Sequence, residues 1–101
     1  MRKSKELLMD NVLQTLGLAY RAKKIIFGEE VLENINDVKL LIIASDSSYK
    51  TKERYLKKCS YYKIDYIDKF NSGEISNALG KDNIKIVGVI DEGFKKSLLN
   101  N

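Results

Sequence analysis

Four aspartates border the apolar segments of this sequence, where α/β enzymes often carry catalytic carboxylates. Carboxylates can act as general acids or bases, but the chain contains no histidine, the usual general base near neutral pH and the commonest metal ligand. The aspartates also form no spacing that defines a reaction. We therefore interpret them as helix caps and turn residues, and we predict a noncatalytic protein with no metal site and no cofactor. They are Asp46, Asp65, Asp68 and Asp91.

Two further groups that could carry chemistry have ordinary structural explanations. Gly80 and Lys81 lack the upstream glycine and the following serine or threonine of a phosphate-binding loop, so a helix end explains them better. Cys59 is the only cysteine, which excludes an internal disulfide and a thiolate cluster around a metal. Its place beside Leu56 on an inward helix face predicts an inert core residue.

The segment from Tyr49 to Lys63 is rich in basic and aromatic side chains and contains a single acidic residue, Glu53. Basic side chains can follow phosphates while aromatic rings stack on unpaired bases. The alternative is a solvated helix face whose tyrosines pack inward, and the sequence leaves both interpretations open. The bases are Lys50, Lys52, Arg54, Lys57, Lys58 and Lys63, and the tyrosines are Tyr49, Tyr55, Tyr61 and Tyr62.

A second basic cluster comes shortly before Gly28. It contains Arg21, Lys23 and Lys24. A helix starting at Glu29 would point its first amide groups toward whatever anion these cations attract. The net charge of +4 and the isoelectric point near 9.1 allow a polyanionic partner without requiring one.

The elements that must position these residues alternate between helix and strand. Apolar residues recur at intervals of three and four from Ser4 to about Ala22, which predicts an amphipathic helix. Further helices are predicted over 29–35, 49–62 and about 71–80, and from 91 onward, and strands over 23–27, 38–46, 64–70 and 84–90. This alternation predicts an α/β protein, a three-layer α/β/α sandwich around a central sheet of about four strands.

The length of 101 residues suits one domain with a modest core. No linker, repeat or low-complexity segment divides the chain, so we predict a single domain over residues 1–101. The longest apolar run, Leu40 to Ala44, is far shorter than the roughly 20 residues that a membrane-spanning helix needs. The charged N-terminus has no signal-peptide core. We expect a cytoplasmic protein without a membrane partner.

Five segments occur in the order and near the spacing of a known family. Together they resemble the ribosomal L-seven-Ae superfamily, and most closely its small bacterial branch, often called YlxQ, a ribosome-associated or RNA-binding group. The resemblance covers Val12 to Leu99 and implies an α/β/α sandwich. Many members bind kink-turns, which are sharply bent RNA helices with tandem sheared G·A pairs. The segments are LGLAYRAKKIIFGEEVL, KLLIIASDSS, TKERYLKKCSYYKI, EISNALGK and VGVIDEGFKKSL.

The resemblance implies one RNA-contacting segment after the first strand. In kink-turn binders this turn and the start of the next helix enter the RNA groove, and here the segment corresponds to Gly28, Glu29 and Glu30. Glu30 falls where the ribosomal members carry a base-contacting asparagine, and Val31 where they carry glutamate, so both depart from the family. Asn34 stands where a helix lysine contacts RNA.

The resemblance also places basic residues before this strand and a second RNA-facing loop after the last one. Lys24 resembles the family's basic residue before the strand, whereas the adjacent family glycine is Lys23 here. Apolar residues of the second loop pack against an extruded base in the family. Alternatively, Ile90 fills the core and Asp91 only caps a helix, and the sequence leaves both open. The loop consists of Val89, Ile90, Asp91, Glu92 and Gly93.

Taken together, these patterns favour a noncatalytic, ribosome-associated protein that binds structured, kink-turn-like RNA. The expected partners are ribosomal RNA and, beside it, ribosomal or other RNA-associated proteins. The alternative is a protein-interaction adaptor on the same fold with lost or weakened RNA contacts, which the acidic Glu29 and Glu30 favour. An enzyme, or the detached substrate-binding domain of one, has little support because the sequence lacks histidine and any cofactor motif.

Overall fold

Helices and strands alternate along the part of the chain that the computed structural model describes, residues 4–100, with side chains described for 11–100. The helices are α1 (Ser4–Arg21), α2 (Glu29–Glu33), α3 (Tyr49–Tyr62), α4 (Ser72–Leu79) and α5 (Glu92–Asn100), with a short 3-10 helix (Ile35–Asp37) after α2. The strands are β1 (Ile25–Phe27), β2 (Leu40–Ile43), β3 (Asp65–Ile67) and β4 (Ile86–Val89).

The four strands form one mixed sheet in the order β1-β4-β2-β3. Strand β4 runs antiparallel to both of its neighbours, whereas β2 and β3 are parallel. In the β1–β4 pair, Ile25 lies opposite Val89 and Phe27 lies opposite Val87. Strand β1 is therefore an edge of the sheet, and its start lies beside the end of β4.

Helices cover both faces of the sheet. Successive side chains of a strand point to opposite faces, and all residues of β2 and β4 are buried, so both faces need a covering layer. Leu40 and Ile42 belong to a core with apolar residues of α1, α4 and α5. Leu41 and Ile43 belong to a second core with residues of α2 and α3, among them Tyr55. This arrangement confirms the predicted three-layer α/β/α sandwich around a four-stranded sheet.

Side-chain caps fix where the helices begin, as the sequence predicts. The Ser48 hydroxyl accepts a hydrogen bond from the Thr51 amide at the start of α3. Asn71 and Glu74 form a reciprocal capping box at the start of α4. The Asp46 carboxylate accepts hydrogen bonds from the Ser72 hydroxyl and amide, which lower the pKa of Asp46.

The first strand is shorter than the predicted 23–27 because the end of α1 uses the residues in front of it. Lys23 has a left-handed backbone, with φ of 63°. The Lys24 amide donates to the Ala19 carbonyl and the Lys23 amide to the Tyr20 carbonyl. These two bonds form a Schellman motif, which ends a helix through one left-handed residue. Sheet pairing can begin only after this motif.

Candidate nucleic-acid interface

The start of β1 and the end of β4 bring two of the predicted RNA-contacting segments together. Beyond the last paired strand residues, the Ile90 amide donates a hydrogen bond to the Lys24 carbonyl at 3.0 Å. Lys23 and Lys24 are both exposed. We call this region the edge surface and define it by Lys23, Lys24, Ile90, Asp91, Glu92 and Gly93. Its position is fixed by backbone hydrogen bonds.

Ile90 and Asp91 have different explanations in the structure. The Asp91 carboxylate accepts a hydrogen bond from the Phe94 amide at 2.9 Å, so Asp91 caps α5, as the structural alternative predicts. Ile90 is only partly buried, and it lies in neither of the two cores of the described residues. A purely structural role therefore explains Asp91 but not Ile90. The exposed part of the Ile90 side chain could contact a ligand.

The rest of the loop after β4 is shaped around the Asp91 cap. A Cβ atom on Gly93 would lie 3.1 Å from the Asp91 carboxylate, so glycine leaves room for the capping side chain. Glu92 is exposed, and its carboxylate lies 4.0 Å from the Lys95 ammonium, which also lies 3.4 Å from Asp65. The loop therefore carries two carboxylates after Ile90, Asp91 at the helix cap and Glu92 near Lys95.

Lys23 occupies a position that usually belongs to glycine. Its left-handed backbone disfavours residues with a Cβ atom by about 1–2 kcal/mol. At the corresponding end of α4, Gly80 adopts a similar conformation, with φ of 68°. The edge surface therefore carries a cation on a strained residue, and such strain often marks a functional position.

Gly28 and the start of α2 lie at the other end of β1. The Gly28 amide donates to the Ile86 carbonyl, and its φ of 54° and ψ of −129° favour glycine. Gly28 lies four positions beyond Lys24 along an extended chain, which corresponds to about 13 Å. The predicted RNA-contacting residues thus form two separate regions, one at each end of β1, rather than one cluster.

Helix α3 supports this second region and neutralises part of its acidic charge. The two terminal guanidinium nitrogens of Arg54 donate to the Glu29 carboxylate oxygens, each at 3.2 Å. The Tyr55 hydroxyl donates to the Gly28 carbonyl at 3.3 Å. The sequence did not reveal this link because the partners are 25 residues apart and opposite charge alone does not select a pair. Glu30 is exposed and has no ion pair among the described residues.

Three of the predicted contact residues are placed differently from the others. The side chains of Val31 and Val89 are fully buried, each in one of the two cores, so they lie beneath the surface and cannot contact a ligand directly. Their expected contact role is corrected to one of support. Asn34 is exposed, but its side-chain amide donates to the Glu30 carbonyl at 2.9 Å and closes the end of α2.

Helix α3 presents most of its tyrosines to solvent. Tyr55 is buried, as the structural alternative expected, but the exposed fractions of Tyr49 and Tyr61 are 78% and 77%. Tyr62 is 38% exposed. Cys59 is buried, and burial raises the pKa of its thiol to about 11, which agrees with the predicted inert core residue.

The aspartates considered for catalysis have mainly structural contacts. Asp46 accepts hydrogen bonds from Ser72 at the start of α4, Asp91 caps α5, and Asp65 contacts Lys95. Among the described residues, no three histidine, cysteine, aspartate or glutamate side chains are grouped closely enough to hold a metal ion. Within the same part of the chain, no helix has both the length and the apolar character needed to cross a membrane.

The fold is shared with solved structures of small α/β proteins. One is the Giardia lamblia 15.5kD RNA binding protein, which superposes with a TM-score of 0.76 over 99% of this chain and 87% of its own, at 15% identity. A protein of unknown function from Bacillus halodurans superposes with a TM-score of 0.81 at 35% identity, over 88% of this chain and 93% of its own. The architecture is therefore that of a known class of α/β/α sandwich that includes an RNA-binding protein.

Sequence comparison identifies the family. The chain is 37% identical over 89 residues to the RNA-binding protein YlxQ of Enterococcus faecium, covering 83% of this chain and 84% of that protein. It is 34% identical over 88 residues to the RNA-binding protein YlxQ of Bacillus subtilis, covering 84% and 88%. No family model matches the chain. The chain belongs to the YlxQ family, which confirms the predicted membership; its relatives are named as RNA-binding proteins, not as enzymes.

Proposed function

We propose that this chain is a noncatalytic RNA-binding protein that recognises structured, kink-turn-like RNA through its edge surface. The YlxQ relatives are named as RNA-binding proteins, which supports RNA as the partner class. The observation that carries the site is Ile90, a partly exposed apolar side chain held beside Lys24 by a backbone hydrogen bond. We further propose that the single domain acts in the cytoplasm on ribosomal RNA, beside ribosomal proteins.

The edge surface combines the two contacts that a bent RNA requires. The ammonium groups of Lys23 and Lys24 can pair with phosphates, which supply affinity and fix the orientation of the RNA. Ile90 can pack against a base that a sharp bend forces out of the stack, because unpaired bases are the usual targets of specific recognition in RNA. A straight duplex offers phosphates but no extruded base, so it would gain only the lysine contacts.

The Gly28 end of β1 can extend the same contact along the RNA. Arg54 pairs with Glu29 and thereby reduces the repulsion that this carboxylate would exert on phosphates. Glu30 forms no ion pair among the described residues, so its carboxylate can accept hydrogen bonds from the amino and imino groups of guanine. This end would therefore favour RNA that presents guanine edges openly.

The second candidate function is the protein-interaction adaptor. The observation that favours it is the exposed carboxylate of Glu30 at the position where the ribosomal members carry asparagine. The Arg54–Glu29 pair weakens this candidate because only one of the two glutamates keeps an uncompensated charge among the described residues.

Charge reversal at the edge surface tests the proposed function. The variant carries Lys23→Glu and Lys24→Glu, and a control of equal charge change carries Lys69→Glu and Lys96→Glu at exposed positions outside the surface. We expect the variant to lose about tenfold or more in affinity for a kink-turn RNA, and the control to lose much less, because contacted phosphates dominate affinity.

The outcome separates the two candidate functions. Equal losses in the variant and the control would reject the edge surface as the RNA site. If the natural chain shows no affinity for structured RNA, and nuclease-treated lysate still yields a ribosomal protein bound to it, the adaptor is the correct function.

A further inference from the structure

The outer face of α3 is a second surface with the chemistry of a nucleic-acid site. We call it the α3 face and define it by Lys50, Arg54, Lys57, Lys58, Tyr61 and Tyr62, which line one shallow groove together with the single acidic residue Glu53. These residues recur at the three- and four-residue intervals that place side chains on one side of a helix. From Lys50 to Tyr61 the face is about 16 Å long at a rise of 1.5 Å per residue.

The aromatic part of the α3 face is open to a stacking partner. The rings of Tyr61 and Tyr62 form an edge-to-face pair with centroids 4.9 Å apart. Tyr61 is 77% exposed, so this contact orients its ring without covering most of it. An ordered, exposed aromatic ring is the feature on which nucleobases stack in single-strand binding proteins.

The lysines of the α3 face are available to phosphates, whereas its arginine is paired. Arg54 is held by Glu29. Lys50, Lys57 and Lys58 are exposed, and none has an ion pair among the described residues. Glu53 is the only acidic residue within α3. Lysines without ion pairs can contact the phosphates of a single strand, and the exposed ring beside them can stack on one of its bases.

The α3 face continues from the Gly28 end of the proposed RNA contact. Arg54 touches Glu29, and Tyr55 touches the Gly28 carbonyl, so the middle of α3 borders the start of α2. Tyr61 lies seven residues further along α3, about 10 Å from Arg54. An RNA strand that leaves a structured element held beside β1 could therefore pass directly onto this face.

We propose that the α3 face binds an unpaired RNA strand that flanks the structured element, with the lysines on its phosphates and a base stacked on Tyr61. The proposal rests on the proposed function for the binding of the structured element. The contact between the α3 face and unpaired RNA does not require that element. The charge of the face would also suit an acidic protein. Unpaired RNA explains more of the observations because it uses the exposed, oriented ring of Tyr61 as well as the lysines.

The test measures how much a tail of unpaired nucleotides adds to binding. One kink-turn RNA is prepared blunt and with a flanking tail of about 12 unpaired uridines, and each is titrated with the natural chain. We expect the tailed RNA to bind more tightly, and a free oligouridine of the same length to bind weakly. Tyr61→Leu should reduce the benefit of the tail by about fivefold to a hundredfold, whereas Tyr61→Trp should keep it.

Neutralising the lysines gives a second readout that a structural defect would not produce. In the tailed RNA, Lys57→Gln with Lys58→Gln should lower the magnitude of the negative slope of log affinity against log salt by about 1.4, since each lysine contact on a single strand contributes about 0.7. Lys69→Gln with Lys96→Gln provides the control of equal charge loss. The slope for blunt RNA should be the same in the natural chain and the Lys57/Lys58 variant.

Each outcome bears on one proposal. A tail that adds nothing in the natural chain, or adds the same in Tyr61→Leu, overturns the α3 proposal, and capture of an acidic protein that depends on Lys57 and Lys58 would then identify the occupant. Binding of oligouridine through Tyr61, without affinity for the blunt kink-turn, would support the α3 proposal and reject the proposed function.

Discussion

The edge surface and the α3 face both carry exposed lysines, but they are built in different ways. The backbone fixes the edge surface, because the Ile90 amide is bound to Lys24 and the Asp91 cap sets the start of α5. The α3 face is built from side chains alone. It consists mainly of an aromatic pair and three lysines that form no ion pair among the described residues. The first can hold one shape of RNA, whereas the second can adapt to a flexible strand.

This difference indicates how the two surfaces would divide recognition. On the proposed site, a partly exposed Ile90 in a fixed position would discriminate between RNAs that do and do not present an extruded base. The exposed lysines of the α3 face can attract any phosphate backbone, and such a contribution depends strongly on salt. We therefore expect specificity to come from the edge surface, and salt-sensitive, sequence-tolerant affinity from the α3 face.

The largest effect is expected from Ile90→Asp, which removes the proposed apolar seat of the extruded base and places a negative charge near phosphates. Complete burial of an exposed isoleucine contributes about 1.5–3 kcal/mol, and the partly buried Ile90 can contribute only a fraction of that. Together with the repulsion between the new carboxylate and phosphates, this loss should lower affinity for a kink-turn RNA by about tenfold. Binding is measured at one salt concentration on a kink-turn and on a straight duplex of equal length. Ile90→Val is the matched control, and equal losses on both RNAs would refute the shape-reading role.

A smaller effect is expected at the Arg54–Glu29 pair, which joins the two surfaces. Arg54→Gln frees the Glu29 carboxylate, so affinity for a blunt kink-turn should fall about two- to fivefold, in line with the modest energy of exposed ion pairs. Adding Glu29→Gln should recover most of this loss. Fluorescence anisotropy on the two single variants and the double variant measures the coupling; a double variant that binds as weakly as Arg54→Gln would contradict the neutralising role.

The smallest effect concerns Lys23 and separates stability from binding. Lys23→Gly relieves the left-handed strain, so the free energy of unfolding should rise by about 1 kcal/mol, while RNA affinity falls a few-fold. Gly80→Ala is the matched control, because it introduces the strain at the end of α4 and should lower stability without affecting binding. Chemical denaturation and RNA titration are compared; an unchanged affinity in Lys23→Gly would exclude Lys23 from the site.

Much of the fold could be predicted from the sequence because its signals are local. The apolar periodicity of α1, the Asn71–Glu74 capping box and Gly80 after α4 all act within a few residues. The start of β1 could not be predicted, since nothing in the residue type of Lys23 reveals a left-handed backbone. The family glycine at that position was the only indication.

The candidate site was harder to predict because it depends on which way side chains point. Val31 and Val89 fall in segments that the resemblance marked for RNA contact, yet both are buried, because helices cover each face of the sheet. The exposure of Tyr61 and the Arg54–Glu29 pair depend on how α3 packs against α2 and the sheet. Such tertiary contacts leave no local pattern in the sequence.

The most direct test of the edge surface as the RNA site is an NMR titration of the 15N-labelled chain with a blunt kink-turn RNA. The amide resonances of Lys23, Lys24, Ile90 and Glu92 should shift most, with smaller shifts at Gly28, and those of Tyr61 and Tyr62 should remain in place. Shifts confined to α3, with the Lys24 and Ile90 amides unchanged at saturating RNA, would contradict the proposed site.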